Sequence, residues 1–135
     1  MKVMDEEWWK AYEEKINSNK AYEEAASWWE GDFIFEILPG GAFTESIKAF
    51  VGLNHGKCTG SRLLKEGEAV PEAEFVVSGT YDNWLKVLKK ELDPIQGMMA
   101  GKLRLTGNMA KIMRAVKAAQ ELVNSTTMIE NVEFY

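Results

Sequence analysis

Cysteine, histidine and proline are scarce in this chain of 135 residues, which contains one, one and three of them respectively. The single cysteine, Cys58, excludes an internal disulfide framework and is typical of a protein from a reducing compartment. His55 and Cys58 form an H-x-x-C pair, but no further histidine or cysteine is present to complete a zinc site. We therefore expect no metal and no cofactor.

Long apolar runs are also missing. No segment approaches the roughly 18 apolar residues that a membrane span needs, and the acidic N-terminus lacks the apolar core of a secretory signal. We therefore expect a cytoplasmic protein. A chain of this length buries roughly two-thirds of its unfolded surface, so it needs no disulfide to hold a core. We predict a single domain over residues 1–135, with N-terminal helices in 1–31 and a sheet with C-terminal helices in 32–135.

Charge is unevenly distributed along the chain. Residues 1–32 contain nine acidic residues and four lysines, which accounts for the whole net charge of -5. Residues 86–117 contain eight basic residues and two acidic ones. The acidic balance and the lack of a recognised binding motif argue against nucleic acid. The basic segment forms either solvated faces of its elements or a surface for an anionic headgroup, a phosphorylated ligand or the acidic helices.

Helical periodicity marks the N-terminal part. Asp5 is suited to cap a helix through Ile16, and Asn19 to cap a second helix through Trp29. The period then becomes strand-like in three stretches, which are residues 33–38, 46–58 and 74–79. In the second stretch the apolar side of the strand continues to His55, so we expect this histidine at the end of a buried strand face.

The second half alternates between the two periods. Tyr81 to Leu92 forms an amphipathic pattern that Asp82 can cap, and Asp93-Pro94 opens a further short helix. The stretch "KLRLTG" alternates as a strand, and Asn108 can begin a closing helix that runs to Val123. Helices at both ends of a sheet indicate an α+β fold.

The segment "MMAGKLRLTGNMAKIMRAV" resembles the C-terminal signature of the sterol carrier protein type two family. Matching positions, in order, are Gly101, Lys102, Leu103, Leu105, Gly107, Asn108 and Met109. Upstream, "TYDNWLKVLKKELDP" and "YEEAASWWEGDFIFEI" are similar to the helix and the lead-in segment of longer prokaryotic members. The resemblance covers nearly the whole chain, and only the block from Gly101 to Met113 is specific.

This resemblance implies a five-stranded mixed, mainly antiparallel sheet, with helices packed on one face enclosing an apolar tunnel. It implies non-catalytic binding or transfer of a fatty acid, fatty acyl-CoA, isoprenoid or sterol-like lipid. Unlike peroxisomal members, the chain ends in "VEFY" rather than a Ser-Lys-Leu type signal, which favours a cytoplasmic, prokaryotic protein. Because most prokaryotes lack sterols, we expect a fatty acid, acyl-CoA or isoprenoid rather than a sterol. The residues expected to line the cavity are Phe35, Trp84, Leu88, Met98, Met99, Leu103, Leu105, Met109, Ile112, Met113 and Val116.

Four basic residues are candidates to contact a ligand headgroup or an anionic membrane transiently, namely Lys102, Arg104, Lys111 and Arg114. We expect no catalytic residues, because neither a dinucleotide fingerprint nor a phosphate loop is present and His55 and Cys58 lack a nucleophile signature.

The alternative function is a structural or dimerisation module whose methionines merely fill a core. Adjacent helix positions face different directions, so one member each of Trp8-Trp9 and Trp28-Trp29 must meet solvent, another element or a partner. Aromatic residues are favoured at interfaces. The N-terminal helices therefore either close the mouth of the tunnel or form a homodimer.

Overall fold

The structure is a computed structural model that describes residues 1–135 and contains one five-stranded sheet and six helices. Helices precede and follow the strands, and the predicted α+β class is confirmed. The elements in chain order are α1 (Glu6–Ser18), α2 (Lys20–Ala25), β1 (Phe33–Leu38), β2 (Ile47–Asn54), β3 (Lys57–Leu63), β4 (Phe75–Thr80), α3 (Tyr81–Leu88), α4 (Pro94–Met99), β5 (Arg104–Thr106), α5 (Met109–Met113) and α6 (Val116–Thr126).

The strands pair in the order β3-β2-β1-β4-β5. The central strand β1 runs parallel to β4, with Phe33 opposite Phe75, and every other neighbouring pair is antiparallel. A parallel pair needs a long crossover connection, which is usually a helix. Here the crossover contains the β2–β3 hairpin instead. The predicted five-stranded, mixed, mainly antiparallel sheet is confirmed.

Side-chain alternation gives the sheet two different faces. Phe33, Phe35 and Ile37 of β1 face the helices and belong to the core or pack against it. Glu36 lies on the opposite face, where its carboxylate accepts a hydrogen bond from Ser78 at 2.8 Å. The core and any internal site therefore lie on the face that the helices cover.

Helix α1 covers the edge of the sheet at β3. The Asn17 side chain donates to the Cys58 carbonyl at 2.9 Å and accepts from the Cys58 amide at 2.8 Å. Glu13 accepts from the Ser61 amide at 2.9 Å. These contacts occupy backbone groups that an unprotected edge strand would offer to another chain.

The predicted helix N-caps are confirmed in four of five places. The side chains of Asp5, Asn19, Asp93 and Asn108 each accept a hydrogen bond from a backbone N–H in the first turn that follows. The exception is the predicted cap Asp82, because Thr80 caps α3 instead. None of the six helices combines the length and the apolar character that a membrane crossing requires.

The long strand predicted over residues 46–58 is two strands joined by a tight turn. His55 and Gly56 form this turn with φ values of 49° and 79°, which suits a two-residue hairpin. The prediction that His55 ends a buried strand face is therefore wrong, and its side chain is exposed. Side-chain alternation predicts a face only while the strand continues, and here it stops at Asn54.

Three predicted helices are shorter than their apolar patterns. The second helix ends at Ala25 rather than Trp29, and α3 ends at Leu88 rather than Leu92. The closing helix is divided into α5 and α6 at Arg114 and Ala115. Since no glycine or proline marks this division, the sequence gives no local signal for it.

Candidate ligand-binding cavity

An apolar cavity lies between the covered face of the sheet and the helices. Of the 24 residues that line it, 22 are hydrophobic and none carries a charge. The sheet contributes every second residue of β1, together with Leu53 and Val77. Phe35 lies in the middle of the sheet yet is only half-buried, which is explained by the open space over its ring.

Helix α6 leaves room for this space because its inward positions carry small side chains. Ala118 and Ala119 line the cavity, as does Ala115 just before the helix. Ala115 and Ala118 are buried, so they border the space without filling it. An alanine surface opposite an aromatic sheet face therefore forms the two walls.

Four of the five tryptophans line the cavity, which are Trp8, Trp9, Trp29 and Trp84. Trp9 stacks on Phe35 with 6.3 Å between ring centres. The indole N–H groups of Trp9, Trp29 and Trp84 each donate to a backbone carbonyl at 2.9 Å, which fixes the rings in place. The wall is thus rigid, aromatic and largely satisfied in its hydrogen bonds.

Only a small part of the wall reaches the surface. Apart from Phe35, the half-buried lining residues lie on or beside α3, α4 and α6; they are Leu88, Pro94, Met98, Ala119, Leu122, Val123 and Thr126. We call the seam that they form between α3–α4 and α6 the mouth of the cavity.

The cavity is narrow, with a volume of about 100 Å³. Pockets for drug-sized ligands usually measure roughly 300–1,000 Å³. The space therefore accepts a short apolar segment as it stands, and a longer chain requires the mouth to widen. Met98 at the mouth is a flexible, unbranched side chain that can move for such a ligand.

Five of the eleven predicted cavity residues lie in the wall, namely Phe35, Trp84, Leu88, Met98 and Ile112. Leu103 is buried outside the wall, and Leu105 and Met109 are half-buried outside it. Met99, Met113 and Val116 are exposed, with 64%, 47% and 41% of their surface accessible. The division between α5 and α6 explains why Met113 and Val116 are exposed. One continuous helix would have carried both residues on the same face as Met109 and Ile112.

The sequence interpretation missed the N-terminal contribution to the wall. Trp8, Trp9, Tyr12, Tyr22 and Trp29 all line the cavity. Their helical spacing is visible in the sequence, but it indicates only an apolar face. Trp8 and Trp9 are both buried within the chain, and only Trp28 of the two pairs is exposed, at 43%.

The predicted basic residues do not form one surface. Lys111 Nζ lies 2.9 Å from Glu74 and 4.8 Å from the centre of the Trp29 ring, so this ammonium group is already paired. Arg114 lies over the ring of exposed Trp28 at 5.9 Å.

Glu74, the partner of Lys111, immediately precedes β4. The other two basic residues, Lys102 and Arg104, are exposed near the far end of this strand. Arg104 is opposite Ser78, four positions beyond Glu74, which corresponds to about 13 Å along a strand. A single headgroup cannot contact both pairs at once.

Neither His55 nor Cys58 lines the cavity, and the two side chains have different hydrogen-bond partners. The His55 ring contacts the Ser27 carbonyl and the Glu30 carboxylate, both at 2.7 Å, and these contacts raise its pKa. Burial raises the pKa of the Cys58 thiol to about 12. A thiol with this pKa stays protonated at neutral pH and is a poor nucleophile.

Comparison with solved structures identifies close matches to the whole fold. A crystal structure of sterol carrier protein 2 has a TM-score of 0.85 and 35% identity, covering 95% of this chain and 99% of that one. The solution structure of a conserved hypothetical protein from Thermus thermophilus has a TM-score of 0.84 and 36% identity, covering 95% and 90%. Palmitated SCP2L2 from Aedes aegypti, at 16% identity over 82% and 92%, has a TM-score of 0.53 and shows likeness of fold alone.

Comparison with known protein sequences also identifies relatives of this chain. Hydroxysteroid dehydrogenase-like protein 2 from Homo sapiens and from Pongo abelii is 34% identical over 56 residues, which are 42% of this chain and 13% of those proteins. The similarity therefore concerns a small part of each relative. A model of the SCP-2 sterol transfer family matches residues 10–120. Because this match covers most of the chain, the protein belongs to the SCP-2 sterol transfer family.

Proposed function

We propose that this protein binds one hydrophobic ligand in the cavity and carries it without catalysing a reaction. The observation that supports the proposal is the wall itself, which is apolar, uncharged and open to the surface at a mouth. Ligand pockets are characteristically concave and mostly apolar, with few polar groups. Family membership supports lipid binding in general, and the identity of the ligand is our inference.

The ligand classes we propose are a fatty acid, a fatty acyl-CoA, an isoprenoid or a sterol-like lipid. Each buried methylene contributes about 0.8 kcal/mol, so an alkyl chain binds without a strong polar anchor. An ionised headgroup must stay at the mouth, because the wall holds no charge to compensate it. Palmitated SCP2L2, a protein of the same fold, makes palmitate a suitable first probe.

The side chains near the ligand support the proposed non-catalytic role. The two tyrosines of the wall, Tyr12 and Tyr22, are its only titratable residues, and burial raises the pKa of both hydroxyls. Neither is available as a base near neutral pH. The alternative of a structural module with a filled core is not favoured. An open space remains between α6 and the sheet, and it reaches the surface at the mouth.

Native mass spectrometry tests the proposal directly. The purified chain is measured before and after incubation with palmitate, palmitoyl-CoA and farnesol. We expect one lipid adduct per chain that an unlabelled competitor displaces. The four wall tryptophans supply a second measurement, because a bound lipid should change their fluorescence while exposed Trp28 acts as an internal background. Unchanged mass and unchanged fluorescence with every probe would overturn the proposal and favour the structural module.

We also propose transient contact with an anionic membrane during transfer. Arg114 beside exposed Trp28 supports this, since basic and aromatic residues bind at membrane surfaces. Flotation with phosphatidylglycerol vesicles should weaken for Arg114→Glu more than for the control Arg104→Glu at the other end of β4. Equal flotation of both variants and the unmodified protein would exclude the contact.

A further inference from the structure

The two edges of the sheet are protected differently. Along β3, the side chains of Asn17 and Glu13 bind the backbone groups of Cys58 and Ser61. The other edge strand is β5, and no further strand lies beyond it. An exposed edge strand offers N–H and C=O groups that can pair with another chain. In this sheet, such groups can remain free only along β5.

The hydrogen bonds of β4 show which backbone groups of β5 point outward. The Phe75 amide donates to the Asp32 carbonyl at 3.2 Å, just before the start of β1. In a strand, the N–H and C=O of one residue point to one neighbouring strand, and those of the next residue point to the other. Phe75 and every second residue after it therefore point toward β1, which leaves Val76 and Ser78 to pair with β5.

Leu105 is the residue of β5 whose backbone groups point away from the sheet. Its neighbours Arg104 and Thr106 lie opposite those two residues of β4 and form the hydrogen-bonded pairs. No loop, helix or side chain binds the Leu105 N–H or C=O instead. The N–H and C=O of Gly107 are also without a hydrogen bond within the chain.

Helix α4 protects only the beginning of this edge. The Leu103 amide points outward like that of Leu105, and it donates to the Gly97 carbonyl of α4 at 3.1 Å. Beyond this contact, residues 105–107 are half-buried or exposed. We call residues 105–107 the open edge, because it presents backbone donors and acceptors that the protein itself does not use.

The side chains around the open edge define the partner by charge and by face. Lys102 and Arg104 are exposed, and neither forms an ion pair within the chain. Leu105 lies on the face that the helices cover, because Val77 opposite it lines the cavity, and Arg104 lies on the other face. Apolar pairs and opposite charges on neighbouring strands are stabilising. An added strand is therefore favoured if it places an apolar residue beside Leu105 and an acidic residue beside Arg104.

We infer that the open edge binds an extended acidic segment of another protein, which pairs with Leu105 as a further strand of the sheet. In this mode of recognition the main-chain hydrogen bonds supply affinity, and the alternating side chains supply specificity. A short edge strand with an exposed arginine discourages indiscriminate pairing. These features restrict the partner to a short segment that compensates the positive charge. The inference goes beyond lipid binding and is independent of it, since Leu105 lies outside the cavity wall.

The test uses a labelled peptide that alternates valine with glutamate, titrated with the purified chain and measured by fluorescence anisotropy. One control peptide alternates valine with lysine, and a second carries the original sequence with every valine N-methylated, so that the N–H groups facing the edge are lost. We expect both controls to bind at least about tenfold more weakly, because the first repels the basic residues and the second loses main-chain hydrogen bonds.

Two matched variants test the backbone of the open edge. Leu105→Pro removes the outward N–H and leaves the β4–β5 hydrogen bonds in place, since proline is tolerated where an edge N–H faces solvent. Leu105→Ala shortens the same side chain and keeps the N–H. We expect Leu105→Pro to bind the acidic peptide at least about tenfold more weakly than Leu105→Ala does. Thermal unfolding verifies that both variants retain the fold.

Hydrogen exchange of the unmodified protein supplies a measurement that needs no variant. The Leu105 amide should exchange faster than the amides of Arg104 and Thr106, and the acidic peptide should slow it. Equal protection of the three amides in the free protein would overturn the inference, as would equal binding of the acidic and N-methylated peptides. A dimer in sedimentation that protects the Leu105 amide would assign the edge to a second copy of the chain and would also overturn it. Lipid binding is unaffected by each of these outcomes.

Discussion

His55 lies in the turn between β2 and β3 with an oxygen atom at each ring nitrogen. The Ser27 carbonyl and the Glu30 carboxylate both accept hydrogen bonds and cannot donate them. Only the doubly protonated ring donates to both. Glu30 lies next to Trp29, so the protonated histidine holds the segment that brings this indole to the cavity.

Stability should therefore depend on pH through His55. Its pKa in the folded state is raised, so its contribution is fully present below the unfolded value of about 6.5. The contribution is lost as pH rises through the folded pKa. We expect the unfolding midpoint in urea to fall between about pH 5.5 and 8.5 by more in the unmodified protein than in His55→Asn. Asparagine tolerates the positive φ of the turn. Identical pH profiles for the two proteins would contradict this role.

Two glycines of the family signature should differ in their sensitivity to substitution. Gly101 has a φ of 77° and open space where a side chain would begin, so Gly101→Ala should cost only the backbone strain of about 1–2 kcal/mol. Gly107 has a φ of 135°, and a Cβ there would overlap the buried ring of Phe75. Gly107→Ala should therefore lower the free energy of unfolding by about 1–3 kcal/mol more than Gly101→Ala does. Urea denaturation measures both, and equal losses would show that Phe75 moves freely.

Single residues were predictable where the relevant physics is local. The caps Asp5, Asn19, Asp93 and Asn108 were identified because a cap depends on its own helix start. The environment of His55 was not predictable, because its two hydrogen-bond partners lie 28 and 25 positions away in sequence.

Among the elements, α6 determines whether the cavity exists. Ala119→Phe would place a ring at the mouth of a space of only about 100 Å³. We expect at least a tenfold loss of lipid affinity, with the secondary structure retained. Gln120→Phe is the matched control, because Gln120 is the next residue and is exposed. Circular dichroism measures the secondary structure and fluorescence titration measures the lipid affinity. Unaltered binding by Ala119→Phe would show that the mouth lies elsewhere.

The existence and type of most elements were predictable from hydrophobic periodicity, and their ends were not. Periodicity persists from Met109 to Val123 because both α5 and α6 face the core. The division at Arg114 and Ala115 results from packing and not from a helix-breaking residue. As a consequence, the alanines that form the cavity wall gave no sequence signal, while the more conspicuous Met113 points outward.

For the molecule as a whole, the N-terminal helices are part of the cavity rather than an appendage. They contribute Trp8, Trp9 and Tyr12 to the wall, and Asn17 protects the β3 edge. A chain lacking residues 1–31 should show no cooperative thermal unfolding and no lipid binding. A truncated chain that unfolds cooperatively would contradict this arrangement. Sedimentation of the full chain independently tests the alternative in which these helices form a homodimer.

The fold was predictable from a motif near the C-terminus, but the site was predictable only in part. Cavity residues close to that motif, such as Met98 and Ile112, are among those that the sequence predicts. Residues far from it, such as Tyr12 and Tyr22, join the wall through contacts that no local pattern encodes. The hydroxyl of Tyr12 reaches Leu122, which is 110 positions away.

The central pairing of β1 with β4, and the contact of the first helix with the last, also set an order of events during synthesis. Contacts between distant segments form slowly, because the loops between them must close first. The sheet wall of the cavity is complete with β4, but the alanine wall is missing until α6 has been synthesised. We therefore expect lipid binding to begin only after α6 has packed against the sheet.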